Sequence, residues 1–339
     1  DPGLSSTFIE AELKGEDVPA IARDIWVVFQ DSKGAYWFGS NTKGAFRLAE
    51  GTITHFSTKD GLAGDSVREI LEDEDGNIYL STLNGISRFD GRRFSSLSPV
   101  NDDPEAWKLN PSDLWFKGSY AGGPYRYDGK KLYACKLPRH PMEAAYYSRF
   151  PNTSINPYEI YTLYKDRKGH IWFGTGALGI YRFDGTSFGY LNETHHTDIK
   201  NGGSFGIRSI LQDSNGEYWF CNTKYKYRIL PETNASALLQ PMLFKEIAGP
   251  DVTGNPLGGD RIYFQTIIEA ANGDLWMQTY QGGIWQYSNN VLILHPVSNA
   301  AGTVNVISMY KDKNGILWLA TEDEGPYRFD GAHFVAFNP

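Results

Sequence analysis

The chain has 339 residues, of which 41% are hydrophobic and 14% aromatic, and a formal net charge of −8. That length and apolar content allow a large buried core, while the acidic balance and the lack of any Lys/Arg run weigh against a nucleic-acid-binding surface. No apolar stretch approaches the roughly twenty residues of a membrane helix, and the two cysteines, Cys135 and Cys221, have no C-x-x-C spacing, so buried thiols are favoured over a disulfide.

Residues 1–20 match nothing else in the chain and are read as an N-terminal extension. Within it, Phe8–Leu13 has the composition of a strand added to a rim, or of a pad over one face. Numbering opens at Asp1 without a methionine, from which a removed leader and a periplasmic or extracellular location are expected.

From residue 21 one pattern recurs. Its clearest copy is IYTLYKDRKGHIWFGTGALGIYRFDGTSF, from Ile160 to Phe188. An apolar run, Ile160–Tyr164, is followed by a turn at Asp166–Gly169. A second run, Ile171–Thr175, carries Trp172, and a third spans Ile180–Phe183. Asp184-Gly185 accepts the positive φ of a two-residue hairpin turn, and Phe188 opens a fourth strand.

The second-strand aromatic recurs at Trp37, Tyr79, Trp115, Trp172, Trp219, Trp276 and Trp318, making seven copies. Their expected limits are about Ile25 to Phe56, Val67 to Leu97, Trp107 to Cys135, Ile160 to Leu191, Ile207 to about Ile247, Ile262 to Leu294 and Val304 to Phe337. Four strands per unit at a period in the forties predict an all-β fold: a seven-bladed β-propeller with four antiparallel strands per blade, spanning 21–339 as one domain. The last copy has its own fourth strand, so ring closure does not need the N-terminus.

In an up-and-down sheet, alternate connections lie at the same end. The short Asp-x-x-Gly and Asp-Gly turns share one end; the second-to-third loops and the longer connectors share the other. Binding belongs on that loop-rich end. Its connectors hold Tyr146, Tyr147 and Tyr158, then His195, His196 and Asp198, then a Gly-rich piece ending at Asp260.

Features present in nearly every copy are architectural. The turn aspartates (Asp31, Asp73, Asp166, Asp213, Asp312) are expected to accept turn N–H groups. The tryptophans fill the space between sheets, and the third-strand arginines (Arg47, Arg88, Arg126, Arg182, Arg228, Arg328) pair or stack. Function belongs where copies differ. The residue after the first apolar position of the innermost strand is Trp26, Arg68, Tyr161, Arg208, Gln265 or Ile307. A core position stays apolar and this one does not, so it is expected to face the channel or its mouth. There Arg68 and Arg208 are suited to a carboxylate, a phosphate or sugar hydroxyls; pairing with neighbours such as Asp65 or Glu69 is the equal alternative. The variable second-to-third loops offer Asn41, Asn84, Tyr120, Lys224, Tyr280 and Glu322. Lys117 and Gln278 stand at a second-strand position that is Gly, Ser, Cys or Ala elsewhere. Adjacent His195 and His196 point to opposite sides of an extended loop and lack metal-ligand spacing, so they are counted as ligand-binding candidates and no metal or cofactor is expected.

The pattern D-x-x-G-x-[ILY]-W-[FL]-[GA]-T-x-x-x-G-[ILP]-x-R-[FY]-D-G in Asp166–Gly185 and Asp312–Gly331 resembles the two-component regulator propeller repeat. Blade three lacks the Asp-x-x-Gly turn, and Ala270 replaces the turn aspartate in blade six. The resemblance implies an exported protein and, in the sensor regions of hybrid histidine kinases in Bacteroidota, recognition of glycan fragments. Unlike those regions, this chain reads as a single stand-alone ring. More distantly it resembles streptogramin lyases. The expectation is a monomeric binding module for a small polar ligand or glycan at the loop-rich mouth. A lyase or hydrolase acting on a glycan or lactone, and a scaffold for another exported protein, are the alternatives.

Overall fold

The computed structural model describes residues 15–118, 122–191, 206–232 and 237–339. They form seven blades, most of them four-stranded antiparallel sheets. In blade one the strands are Ile25–Gln30, Tyr36–Ser40, Ala45–Ala49 and Thr52–Phe56, and in blade four Ile160–Lys165, Ile171–Thr175, Ile180–Phe183 and Phe188–Leu191. Blades two, five, six and seven begin with Val67–Glu72, Ile210–Gln212, Thr266–Glu269 and Val306–Lys311.

In five blades a turn carboxylate closes the first hairpin and also holds the second-strand aromatic. Asp166 Oδ1 accepts the backbone N–H groups of Lys168 and His170, each at 2.9 Å, and Oδ2 accepts the indole N–H of Trp172 at 2.9 Å. The same arrangement joins Asp31 to Trp37, Asp213 to Trp219 and Asp312 to Trp318. In blade two the phenol of Tyr79 replaces the indole, donating to Asp73 at 2.8 Å. The satisfied N–H lets each indole be buried, and Trp37, Trp172, Trp219 and Trp318 are at most 1% exposed. Each packs against an adjoining blade: Trp172 lies with Phe220 and Tyr227 of blade five, and Trp37 with Leu80 and Phe89 of blade two. The third-strand arginines cover the outer side of the same rings, Arg182 over Trp172 at 5.8 Å and Arg328 over Trp318 at 5.6 Å.

Blade three departs from the expected four antiparallel strands. It has Leu114–Phe116, Tyr125–Tyr127 and Leu132–Ala134, with Pro99–Val100 added in parallel outside the last of these. The innermost strand is missing because the preceding sequence, Leu109-Asn110-Pro111-Ser112, has turn chemistry and a proline that cannot donate to a ladder. A buried arginine stands in for it. Arg126, 1% exposed, donates from Nε to Ala106 O at 2.7 Å and from one terminal nitrogen to Glu105 O at 2.5 Å. Its other terminal nitrogen pairs with Asp113 at 2.5 Å. One side chain thus ties the irregular segment 105–113 to the sheet.

Outer edges are extended too. Glu16–Val18 pairs antiparallel with the outer strand of blade one. Leu239–Pro241, from the longest connector, pairs in parallel with the outer strand of blade four before Phe244–Ala248 completes blade five. The Phe8–Leu13 segment lies outside the described residues.

Blade seven closes on blade one without exchanging a strand. Tyr36 donates to Asp312 Oδ2 at 2.6 Å, Lys313 donates to Gln30 Oε1 at 2.9 Å and to Asp31 O at 2.7 Å, and Trp318 packs with Phe38.

The second-to-third loops do lie beside the incoming connectors. Backbone bonds join Asn41 to Asp24, Leu83 to Ser66, Gly176 to Glu159 and Glu322 to Asn305, at 2.9–3.1 Å. Both cysteines are buried and free. Burial pushes each thiol up to about 12, which leaves almost no thiolate at pH 8. Iodoacetamide is expected to label neither cysteine in the native protein and both in denaturant; rapid native labelling would contradict this packing.

Candidate functional site

Four of the six varying inner-strand residues are the extra residues of β-bulges. In blade one Ile25 pairs with Ser40 and Val27 with Gly39, leaving Trp26 between them without a partner in the ladder. The same register shift falls at Arg68, Tyr161 and Ile307. A bulge sets two residues against one and re-aims the extra side chain. These four, with Arg208 and Gln265, line one central channel of about 770 Å³.

Bulge and small residue go together. The residues opposite the bulges are Gly39, Ser81, Gly174 and Ala320. A Cβ on Gly174 would lie 2.4 Å from Ile207 O and 2.5 Å from Thr162 Cγ2, so a side chain has no room there. Blade six has an unbroken register, Thr266 opposite Gln278, and the long side chain fits. Gln278 is buried and donates to Gln265 Oε1, Thr279 O and Val306 O at 3.0–3.1 Å. Blade three has no inner strand, and Lys117 occupies the equivalent place in the channel wall.

The two arginines are held by aromatic faces from the preceding blade. Arg68 Cζ lies 3.5 Å from the ring centroid of Trp26, and Arg208 Cζ lies 4.6 Å from that of Tyr161. Such stacking fixes the guanidinium plane. Tyr161 is itself held close: a Cβ on Gly206 would lie 2.5 Å from its ring.

Glu69 carries out a structural task in the same wall. Its carboxylate accepts the backbone N–H of Lys117 at 3.0 and 3.1 Å, the bond a first strand of blade three would have made. Burial raises its pKa, with Lys117 opposing. Glu159 at the mouth is likewise raised by burial, with the charge of Arg208 opposing. Tyr161 is raised by burial first and then by Glu159.

Of the candidate residues, Trp26, Arg68, Tyr161, Arg208, Gln265 and Tyr280 come together around the channel. Lys224 and Glu322 are not among its lining. Lys224 is ion-paired with Asp260 at 3.0 Å, and Glu322 accepts from Tyr280 and Asn305 at 2.8 Å each. Tyr120, His195 and His196 lie outside the described residues. Asn41 accepts from Ser66 at 3.3 Å. Sequence reasoning named Glu69 only as a partner for Arg68 and passed over Glu159. The signal for Glu69 was present: it stands where the other bulged strands have Val27, Thr162 and Ser308.

Among the described residues, no helix is long and apolar enough to cross a membrane, and no three His, Cys, Asp or Glu cluster as metal ligands. A second cavity, of about 880 Å³, lies between blade three and the helix Glu143–Arg149, lined in part by Tyr125, Arg139, Tyr147 and Tyr158.

The two component regulator propeller family matches residues 154–177 and 301–323, in blades four and seven. No curated protein matches the sequence. Among solved structures, the chain is similar to the extracellular domain assigned to a hybrid two component system of B. thetaiotaomicron, with TM-score 0.59 and 20% identity over 92% of this chain. It spans only 39% of that protein's length. It is similar to virginiamycin B lyase from Staphylococcus aureus, with TM-score 0.60 and 16% identity, covering 92% of this chain and 97% of the lyase. It is also similar to PorZ, a surface component of the type-IX secretion system of Porphyromonas gingivalis, with TM-score 0.58 and 17% identity, covering 92% of this chain and 47% of PorZ. At these identities the likeness is one of fold. Two repeats thus match the two component regulator propeller model, and the ring of seven blades around them agrees with that likeness.

Proposed function

We propose that the protein is an exported, sensor-like binding propeller that takes a polar ligand, carbohydrate foremost, at the mouth of its central channel. The observation that carries this reading is the convergence of Trp26, Arg68, Tyr161, Arg208 and Gln265 on one lumen. Aromatic faces stack on the apolar side of a pyranose while guanidinium and amide groups take its hydroxyls. Four lining side chains project from strand bulges, so their positions are set by a rigid ladder. The fold shared with an extracellular domain of a hybrid two component system agrees with a sensing role and with export. The likeness to virginiamycin B lyase is of the same kind and brings no residue with it.

The test is a thermal-shift screen against oligosaccharides. At least one sugar is expected to raise the melting temperature by several degrees, and Arg208→Ala and Tyr161→Ala are each expected to abolish that shift. Loss of the bidentate or stacking contact costs about 1.5–3 kcal/mol, or roughly ten- to a hundredfold in affinity. No shift with any sugar, or a shift untouched by both substitutions, would overturn the reading.

A further inference from the structure

The cavity of about 880 Å³ beside blade three shares no lining residue with the central channel. One wall is the second-to-third loop of blade three, at Gly122–Pro124. The other is the connector that leaves blade three and carries the helix Glu143–Arg149. That connector runs from Ala134 to Ile160, well beyond the roughly four to six residues usual between elements. Core packing does not account for the helix, since none of its residues is buried.

Both walls are nevertheless fixed. His140, 1% exposed, meets the rings of Tyr181 and Tyr190 in T-shaped contacts, and its backbone N–H donates to the Tyr158 phenol at 2.9 Å. The Tyr181 phenol donates to Pro138 O at 2.9 Å. On the facing wall, a Cβ on Gly123 would lie 2.0 Å from Cys135 O, so the loop is pressed against the end of the outer strand. An open space between two anchored walls is the form of a preformed site.

Its lining is aromatic and electrically balanced. Tyr125, Tyr147 and Tyr158 line it together with Asn101 and Asn156, and Tyr147 is 44% exposed. Asn156 Oδ1 accepts the Tyr158 N–H at 3.0 Å, which leaves the amide nitrogen as a donor. Arg139 is ion-paired with Glu143, and the two other charged lining residues, Lys136 and Asp102, are of opposite sign. A charged ligand finds no excess of counter-charge to offset the loss of its water. A neutral sugar ring can lay its C–H face on a phenol ring and pair its hydroxyls with amides and phenols.

We infer that this cavity is a second binding site, separate from the channel, and that it takes an uncharged oligosaccharide with one ring stacked on Tyr147. It stands independently of the channel reading, because the two cavities have no residue in common.

The experiment is calorimetric titration of the full chain with uncharged gluco-, manno- and xylo-oligosaccharides. The double variant Tyr161→Ala with Arg208→Ala removes the channel contacts. At least one of these sugars is expected to bind that variant. Adding Tyr147→Ala should weaken the binding by about tenfold or more, through loss of one stacking face. Adding Tyr147→Phe instead, which keeps the face, should preserve most of it. In the otherwise native chain Tyr147→Phe is likewise expected to bind more tightly than Tyr147→Ala, and both should melt with the wild type because the helix has no buried residue. Sugars that bind the wild type but not the channel variant would overturn this inference and leave the channel reading standing. Binding to neither would overturn this inference. Binding to the channel variant that Tyr147→Ala does not alter would place the sugar elsewhere and overturn it too.

Discussion

Arg126→Met is expected to destabilise the native state by about 3–5 kcal/mol, because it leaves a buried carboxylate without its partner. The side chains of Arg126 and Asp113 are 2% and 3% exposed. Methionine keeps most of the volume and loses three contacts, to Asp113, Ala106 O and Glu105 O. Those contacts anchor the segment that stands where blade three lacks a strand. Urea unfolding followed by tryptophan fluorescence measures the loss. The double change Arg126→Met with Asp113→Leu should recover much of it, since an apolar pair removes the stranded charge. A single substitution costing under about 1 kcal/mol would mean that blade three is held by something else.

Asp312→Ala is expected to cost a similar amount, about 3–5 kcal/mol, because one carboxylate serves four donors. It accepts Asn314 N and Ile316 N at 2.9 Å, the Trp318 indole at 2.9 Å and the Tyr36 phenol at 2.6 Å. The last bond crosses from blade seven to blade one, so the substitution weakens both a hairpin and the closure of the ring. Tyr36→Phe, which removes only that bond, should cost about 1 kcal/mol and couple to Asp312→Ala in a double-mutant cycle. Burial opposes ionisation of Asp312, yet the bonds from Tyr36, Trp318, Ile316 and Asn314 outweigh it and hold its pKa below the ordinary carboxylate value. A group whose folded pKa is depressed contributes fully above its unfolded value, near pH 4, and loses that contribution as pH falls through the folded pKa. The wild type should therefore lose stability below about pH 4 more steeply than Asp312→Ala. Parallel acid slopes for the two proteins would rule out this role.

Much of the fold was legible because its devices are local. Asp166, Gly169, Trp172 and the Asp184-Gly185 pair sit at fixed offsets within one hairpin, and repetition marked them as architecture. The indole bond to the turn carboxylate follows from the same offset, since Trp172 lies six residues after Asp166. Blade three was misjudged because Trp115 preserves the second-strand signature while the missing first strand leaves only Asn110 and Pro111 as a trace. Its replacement pairs Arg126, which repetition had marked as ordinary, with Asp113, which no repeat position singled out.

The channel residues stood out in sequence only as failures of a rule, polar side chains where an apolar one belongs. The bulge that explains them is a matter of register between two strands, and it shows in the chain only as the small residues Gly39, Ser81, Gly174 and Ala320 opposite. The long side chains of Gln278 and Lys117 mark two of the blades where that register is absent.

The sequence by itself determined the seven blades, their turns and the end of the ring that carries the loops, because turn chemistry and strand alternation act over a few residues. Only the tertiary structure decided that Arg68 meets Trp26, that Arg208 meets Tyr161 and that both pairs share one lumen. Those contacts join neighbouring blades, and closing the ring sets distances that no offset along the chain encodes.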